Sequence, residues 1–211
     1  MADSFPVVSV LSYFEGPAEN PLSEGGHWQQ TTPERAPMKK EVGTVTDSSH
    51  GDPNYSHWTP QRFNDQDGIV DVFACTNGGQ LGAAVETWRV ALWSEVGVNV
   101  SGYLLYYGGG ISKGFVLRRY AGGILNFTEI VGNVADYPEA IGIRRYGDTL
   151  EGWGMFGGVW LLQVSTTDSN YHGNFWAGIS IEDPTGGGLG MPCFSFGRKN
   201  RTQIYRIIRG G

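Results

Sequence analysis

The feature that most constrains this chain is a run of short strand-like segments from Val85 to Glu182, interrupted repeatedly by glycine. The segments are Val85–Trp93, Gly102–Tyr107, Lys113–Tyr120, Ile124–Val131, Ala140–Tyr146, Trp160–Thr166 and Phe175–Glu182. β-Branched and aromatic residues fill them, and Gly, Asn or Asp stands in most links, as at Gly122-Gly123, Gly147-Asp148 and Gly157-Gly158. Such segments fit a pleated, half-buried surface, and such links suit tight hairpins. The pattern predicts an all-β sandwich. No window of eleven residues carries a sustained helical apolar stripe, and no repeat of fixed period suggests a propeller.

Alternation assigns faces within strands. Trp88, Val90 and Leu92 share one face of their segment, and Arg89, Ala91 and Trp93 the other. Phe115, Leu117 and Arg119 oppose Val116, Arg118 and Tyr120, while Ile141, Ile143 and Arg145 align. Phe5–Phe14 reads as a first strand of poor alternation, and Gly68–Cys75 and Thr149–Trp153 as further strands. Between them, residues 16–67 are loop-rich and hold six prolines, with a short strand expected at Met38–Thr46. Trp28 and Trp58 are the natural anchors of this segment as an ordered covering of a single domain spanning residues 1–211. Residues 198–211 form a basic C-terminal strand.

Composition excludes several classes. Seven Trp, ten Tyr and ten Phe argue against disorder. No apolar run is long enough for a membrane helix, so membrane insertion is not expected, and the first residues lack the basic and apolar regions of a signal peptide. A net charge of −6 disfavours nucleic-acid partners. Cys75 and Cys193 sit in apolar strand settings that suit free buried thiols, with a disulfide joining an early strand to a late one as the alternative. Catalytic patterns are missing. No strand carries acids at alternate positions, as a sandwich glycosidase would, so hydrolysis would need loop-borne acids such as Glu129, Glu139, Glu182 and Asp183. No nucleophile elbow or phosphate loop is present, and the His50–His57 stretch matches no familiar zinc spacing. No catalytic or metal residues are assigned. Calcium is the one ion with loop donors to hand, at Asp65, Asp67, Asp168 and Asn170, and ordinary loop polarity explains these equally.

Aromatic residues near loops are the binding candidates. Trp153, Tyr171, Trp176 and the pair Tyr106-Tyr107 offer stacking surfaces, with Asp168, Asn170 and Asn174 as polar partners. Core packing is the competing use of each ring. The cluster Arg198, Lys199, Arg201, Arg206 and Arg209, with Tyr205, is the candidate assembly surface.

The stretch Gly68–Gly197 resembles the concanavalin A-like, laminin-G-like jelly-roll superfamily. The resemblance rests on Gly102-Tyr103-Leu104-Leu105-Tyr106-Tyr107, Gly114–Tyr120, Ala140–Arg145, Asn170-Tyr171-His172-Gly173 with Ala177–Ile181, and Cys193-Phe194-Ser195-Phe196-Gly197. It implies a jelly roll of two antiparallel sheets. It is most like bacteriophage virion domains of the tail, fibre or capsid surface. The implied role is a noncatalytic virion structural protein, with other virion proteins, further copies of itself or a host surface glycan as partners. A stand-alone carbohydrate-binding module or lectin is the alternative, and a polysaccharide hydrolase the third reading.

Overall fold

A computed structural model describes residues 5–6, 10–32, 37–41, 43–47, 54–66, 68–77, 87–108, 114–131, 137–182 and 193–200. In chain order the strands are β1 (Trp28–Gln30), β2 (Met38–Glu41), β3 (Thr44–Asp47), β4 (Asn54–Trp58), β5 (Phe63–Asn64), β6 (Val70–Asn77), β7 (Thr87–Glu95) and β8 (Ser101–Gly108). They continue as β9 (Gly114–Ala121), β10 (Ile124–Val131), β11 (Ala140–Tyr146), β12 (Thr149–Phe156), β13 (Val159–Thr167), β14 (Asn174–Glu182) and β15 (Cys193–Asn200).

These strands form two antiparallel sheets, as expected of a jelly-roll sandwich. The larger runs β1-β4-β14-β7-β8-β9-β10, with β5 added to one end of β14; the smaller runs β13-β12-β11-β6-β15, and β2-β3 is a separate hairpin. Neighbours β7, β8, β9 and β10 follow in sequence because glycine-bearing links let each strand fold back on the last. At Gly157-Gly158, between β12 and β13, both residues have positive φ, the primed turn that matches strand twist.

The core lies between the sheets. Trp88, Val90, Leu92, Leu105, Phe115 and Leu117 of the larger sheet meet Ile141, Ile143, Leu150 and Phe194 of the smaller one. Trp88 therefore points inward, and Arg89, Ala91 and Trp93, on the opposite side by alternation, point out. Trp28 and Trp58 are paired across β1 and β4 and buried between the sheets, edge-on at 5.3 Å.

The N-terminal third differs from its sequence reading in two ways. The expected strand at Phe5–Phe14 reduces, among the described residues, to one bridge between Ser12 and Phe194. Its poor alternation reflects two uses: Phe14 enters the central core, and Phe5 packs against Phe73, Trp153 and Trp160 on the outer side of the smaller sheet. Second, Met38–Thr46 is a hairpin rather than one strand, turning at Gly43. Residues 16–67 also supply β1, β4 and β5 to the larger sheet, so part of the segment is sheet, not covering.

A buried cation holds this segment in place. Lys40 is 3 % exposed; its Nζ donates to Glu19 Oε1 at 2.9 Å and to the Glu15 carbonyl at 3.0 Å. Burial alone would raise the Glu19 carboxyl. Hydrogen bonds from Lys40 and from the Ser23 and Glu24 amides outweigh it and hold the group below its usual value.

Cys75 and Cys193 are free and buried on adjacent strands. Cys75 lies opposite Ser195 and Cys193 opposite Asn77, a diagonal offset too wide for a disulfide without backbone movement. Burial pushes the Cys75 thiol up to about 12, so it stays protonated and inert.

Candidate functional site

Two polar regions stand out, one at an end of the sandwich and one on the outer face of the larger sheet. At the end, the β5–β6 link, the β11–β12 turn and the β13–β14 link come together around Arg145. Arg145 is fully buried because Ile141 and Ile143 on the same side of β11 face the core. Its Nη1 donates to the Tyr103 hydroxyl at 2.8 Å and to the Asp168 carbonyl at 3.1 Å, and its Nε lies 3.5 Å from Asp65 Oδ2. His172 places Nδ1 2.7 Å from Asp65 Oδ2 and Nε2 3.0 Å from Asp148 Oδ1. Gly68 makes the close approach possible: a Cβ there would lie 2.6 Å from the Gly147 Cα.

Asp168 belongs to this network. Its Oδ1 accepts from the Tyr103 hydroxyl at 3.0 Å, from the Asn170 amide at 2.8 Å and from Asn170 Nδ2 at 2.7 Å, and its Oδ2 pairs with Arg119. Desolvation would raise this carboxyl, but the bonds from Asn170, Tyr103 and Arg119 leave it below the usual range. Burial pushes the Tyr103 phenol upward, with the Asp168 charge adding to the effect against the pull of Arg145.

Asp65 and Asp168 are thus engaged by arginine and histidine rather than left open for a cation. Among the described residues no three His, Cys, Asp or Glu side chains are grouped to hold a metal. Asp67, also weighed as a calcium donor, lies outside the described residues. Asp168 and Asn170, expected to contact ligand, are thus a structural lock at the sandwich end. Tyr171 stands beside them, its hydroxyl donating to the Tyr120 carbonyl at 2.9 Å and its ring edge-on to Tyr103.

The second region is read directly from the strand register. Outward residues align across β4, β14, β7, β8 and β9 in three rows. The first is Tyr55–Ser180–Arg89–Tyr106–Val116. The second is His57–Gly178–Ala91–Leu104–Arg118. The third is Trp176–Trp93–Gly102–Tyr120. Trp93 lies over Gly178, where a Cβ would come 2.5 Å from the indole nitrogen, and Tyr55 and Tyr120 meet it edge-on at 5.8 and 6.1 Å. This makes an apolar floor. Around it Trp176, Tyr55, Tyr106 and Tyr120 stay half-exposed.

Arginines complete the face. The Arg62 guanidinium stacks on Trp176 at 3.6 Å from the ring centre. Arg118 lies 4.6 Å from the centre of the Tyr106 ring and donates from Nη2 to its hydroxyl at 2.9 Å, while Arg89 is 5.7 Å from the same ring. Asn174 is exposed one step along β14 from Trp176 on the same face, bonded to Asn64 Nδ2 at 3.2 Å. His57 is buried at one edge of this face against Thr31, at 3.2 Å, and burial holds its imidazole down at about 4, so it is neutral at neutral pH.

Of the binding candidates singled out from sequence, Trp176, Asn174 and Tyr106 share this face. Trp153 is a correction. It points to the outer side of the smaller sheet, 4 % exposed under Phe5, with its indole N–H on Glu151 Oε2 at 2.9 Å. Tyr107 turns into the core, and Tyr106 remains on the face. Arg118, Tyr120 and Trp93 were visible as one side of their strands, but the strand order that joins those sides was not.

Of the assembly candidates, Arg198 is exposed and Lys199 half-buried on β15; Arg201, Tyr205, Arg206 and Arg209 lie outside the described residues. Among the hydrolase candidates, Glu139 accepts the Gly158 amide at 3.0 Å, a turn cap. Asp183 and the side chains of Glu129 and Glu182 lie outside the described part, as does His50. No helix among the described residues is long and apolar enough to cross a membrane.

No protein-family model and no curated protein matches the chain. Solved structures do. The legume lectin-like domain from Entamoeba histolytica superposes with a TM-score of 0.61 at 12 % identity, over 92 % of this chain and 99 % of that one. The VIP36 exoplasmic/lumenal domain, in a form bound to Ca2+ and Man3GlcNAc, gives 0.58 at 8 % identity, over 85 % and 87 %. The CBM2 module of the evolved Dit from Lactobacillus casei BL23 phage J-1 gives 0.50 at 12 % identity, over 87 % and 95 %. The fold is a lectin-like jelly roll. At these identities the likeness concerns architecture, and function has to be argued from the site.

Proposed function

We propose that the protein is a glycan-binding module that works through the outer face of its larger sheet. The observation that carries this reading is the half-exposed ring set Tyr55, Tyr106, Tyr120 and Trp176 around a packed apolar floor, with arginine N–H donors between them. Sugars present apolar C–H faces and hydroxyl edges. Rigid rings with interleaved donors suit both, and ring placement on strands rather than loops lowers the ordering cost of binding. The names of the similar structures, a legume lectin-like domain and a CBM2 module, agree with it.

A glycan array with the purified protein, run with and without chelator, tests it. We expect chelator-independent binding that falls at least tenfold in Tyr106→Ala and Trp176→Ala. No binding in either condition overturns the reading.

We further propose a virion setting, in which the module belongs to a bacteriophage tail, fibre or capsid surface. The likeness to a phage Dit module supports this. So does β13, an uncharged edge strand with Val159, Leu161 and Leu162 exposed, which gives neighbouring subunits an apolar surface to cover. Mass spectrometry of purified particles tests it; absence of the protein from intact virions overturns it.

A further inference from the structure

We propose that the glycan bound by the outer face is anionic, carrying carboxylate or phosphate groups that Arg118 and Arg62 recognise; this deepens, and rests on, the glycan-binding reading. Elsewhere in the described structure arginine and lysine side chains meet carboxylates: Arg119 meets Asp168, Arg144 meets Asp71, Arg145 meets Asp65 and Lys40 meets Glu19. Arg62 and Arg118 do not. Among the described residues neither has a carboxylate at ion-pair distance, and each is stacked on a ring instead.

Stacking has a chemical consequence. On the exposed Arg62 it leaves the edge N–H groups open to a carboxylate or phosphate, and on Arg118 it leaves the Nη1 end of the guanidinium for one. Arg118 spends one Nη2 N–H on the Tyr106 hydroxyl, while its Nε is buried with no hydrogen-bond partner. The three aligned rows contain no carboxylate, and His57 between them is neutral. These three rows therefore carry cations and no anion on a protein whose net charge is −6, with Glu182 one row further along β14 and Glu95 exposed at the end of β7. Trp176 on β14 and Arg118 on β9 are three strand spacings apart, about 14 Å. One polysaccharide chain crossing the strands spans both guanidinium positions.

The test compares ligands of equal shape and different charge. Polygalacturonate and its fully methyl-esterified form present one backbone with and without carboxylates, and a poly(glycerol phosphate) teichoic acid presents phosphate; a panel of neutral polysaccharides is run alongside. Affinity electrophoresis at two salt concentrations gives the dissociation constants. We expect an anionic polymer to bind at least tenfold more tightly than the ester. Arg118→Met should lose that preference, Arg118→Lys should retain part of it, and Arg198→Gln on the other sheet should leave it unchanged. Preference for polygalacturonate identifies carboxylate as the recognised group, and preference for the teichoic acid identifies phosphate. Equal affinity for acid and ester with no preference for the teichoic acid over neutral polymers, binding of neutral polymers alone, or an anion preference that survives Arg118→Met together with Arg62→Met overturns the anionic assignment while glycan binding stands. Binding of no polymer in the set overturns both readings.

Discussion

Arginine is used in two opposite ways at the two polar regions of this molecule. At the sandwich end, Arg145 and Arg119 are locked to Asp65 and Asp168 with Tyr103 between them, and little donor capacity is left over. On the outer face of the larger sheet, Arg62 and Arg118 lie on Trp176 and Tyr106 and keep donors open. A buried ion network satisfied from within specifies packing. A stacked guanidinium without a counter-charge specifies a ligand. The contrast teaches that the described loop carboxylates Asp65 and Asp168 are held by arginine, while Arg62 in a loop and Arg118 within strand alternation rest on rings instead.

The comparison can be broken at four points. The largest effect is expected at the locked end: Arg145→Met leaves Asp65 buried without its cation and should cost on the order of 3–5 kcal/mol in chemical denaturation. A loss below about 1 kcal/mol would mean that the network is not structural.

Next comes acid titration of the face. His57 has its imidazole held at about 4 against an ordinary 6.5, so the unfolded chain takes up a proton that the native state refuses. Stability present above pH 6.5 should fall as pH drops toward 4 and level off below it, by up to roughly 3 kcal/mol from this group. Asp168, also depressed, withdraws its share at lower pH, as acid approaches and passes its own lowered value. His57→Gln should flatten the 6.5-to-4 window and leave the lower step intact. Denaturation midpoints across pH check both.

Third, Trp176→Ala should separate stability from binding. The ring is only half-buried, so about 1–2 kcal/mol of stability should go, while affinity for the anionic polymer should fall at least tenfold. A large stability loss with affinity retained would place Trp176 with the core instead. The smallest effect is expected for Arg62→Ala, which removes one exposed cation–π contact of about 0.5–1 kcal/mol. Thermal melts should barely move, and binding should still weaken.

Legibility differed between these regions for a physical reason. Arg145 could be seen in sequence aligned with Ile141 and Ile143, and Arg119 with Phe115 and Leu117. Both share the side of their strand that turns inward. Their partners Asp65 and Asp168 could not be found that way, because loops carry no periodicity and the pairs are separated by 80 and 49 residues. Trp153 shows the converse limit. Strand alternation puts it on an outer face, but only the return of Phe5 across the smaller sheet shows that this face is covered.

What the sequence determined by itself is the strand inventory from β6 to β14 and the two sides of each central strand, because side-chain direction alternates with a period of two and glycine marks where a chain can reverse. That was enough for an all-β sandwich, and the family resemblance added the jelly roll. Which strands become neighbours, and so which outward residues join into one surface, was decided by tertiary structure alone. β14 inserts between β4 and β7, bringing Trp176 beside Trp93, while β8 and β9 continue the face to Tyr106 and Arg118. Hydrogen-bonded strand order is a long-range choice made by the packing of both sheets at once, and no local pattern encodes it.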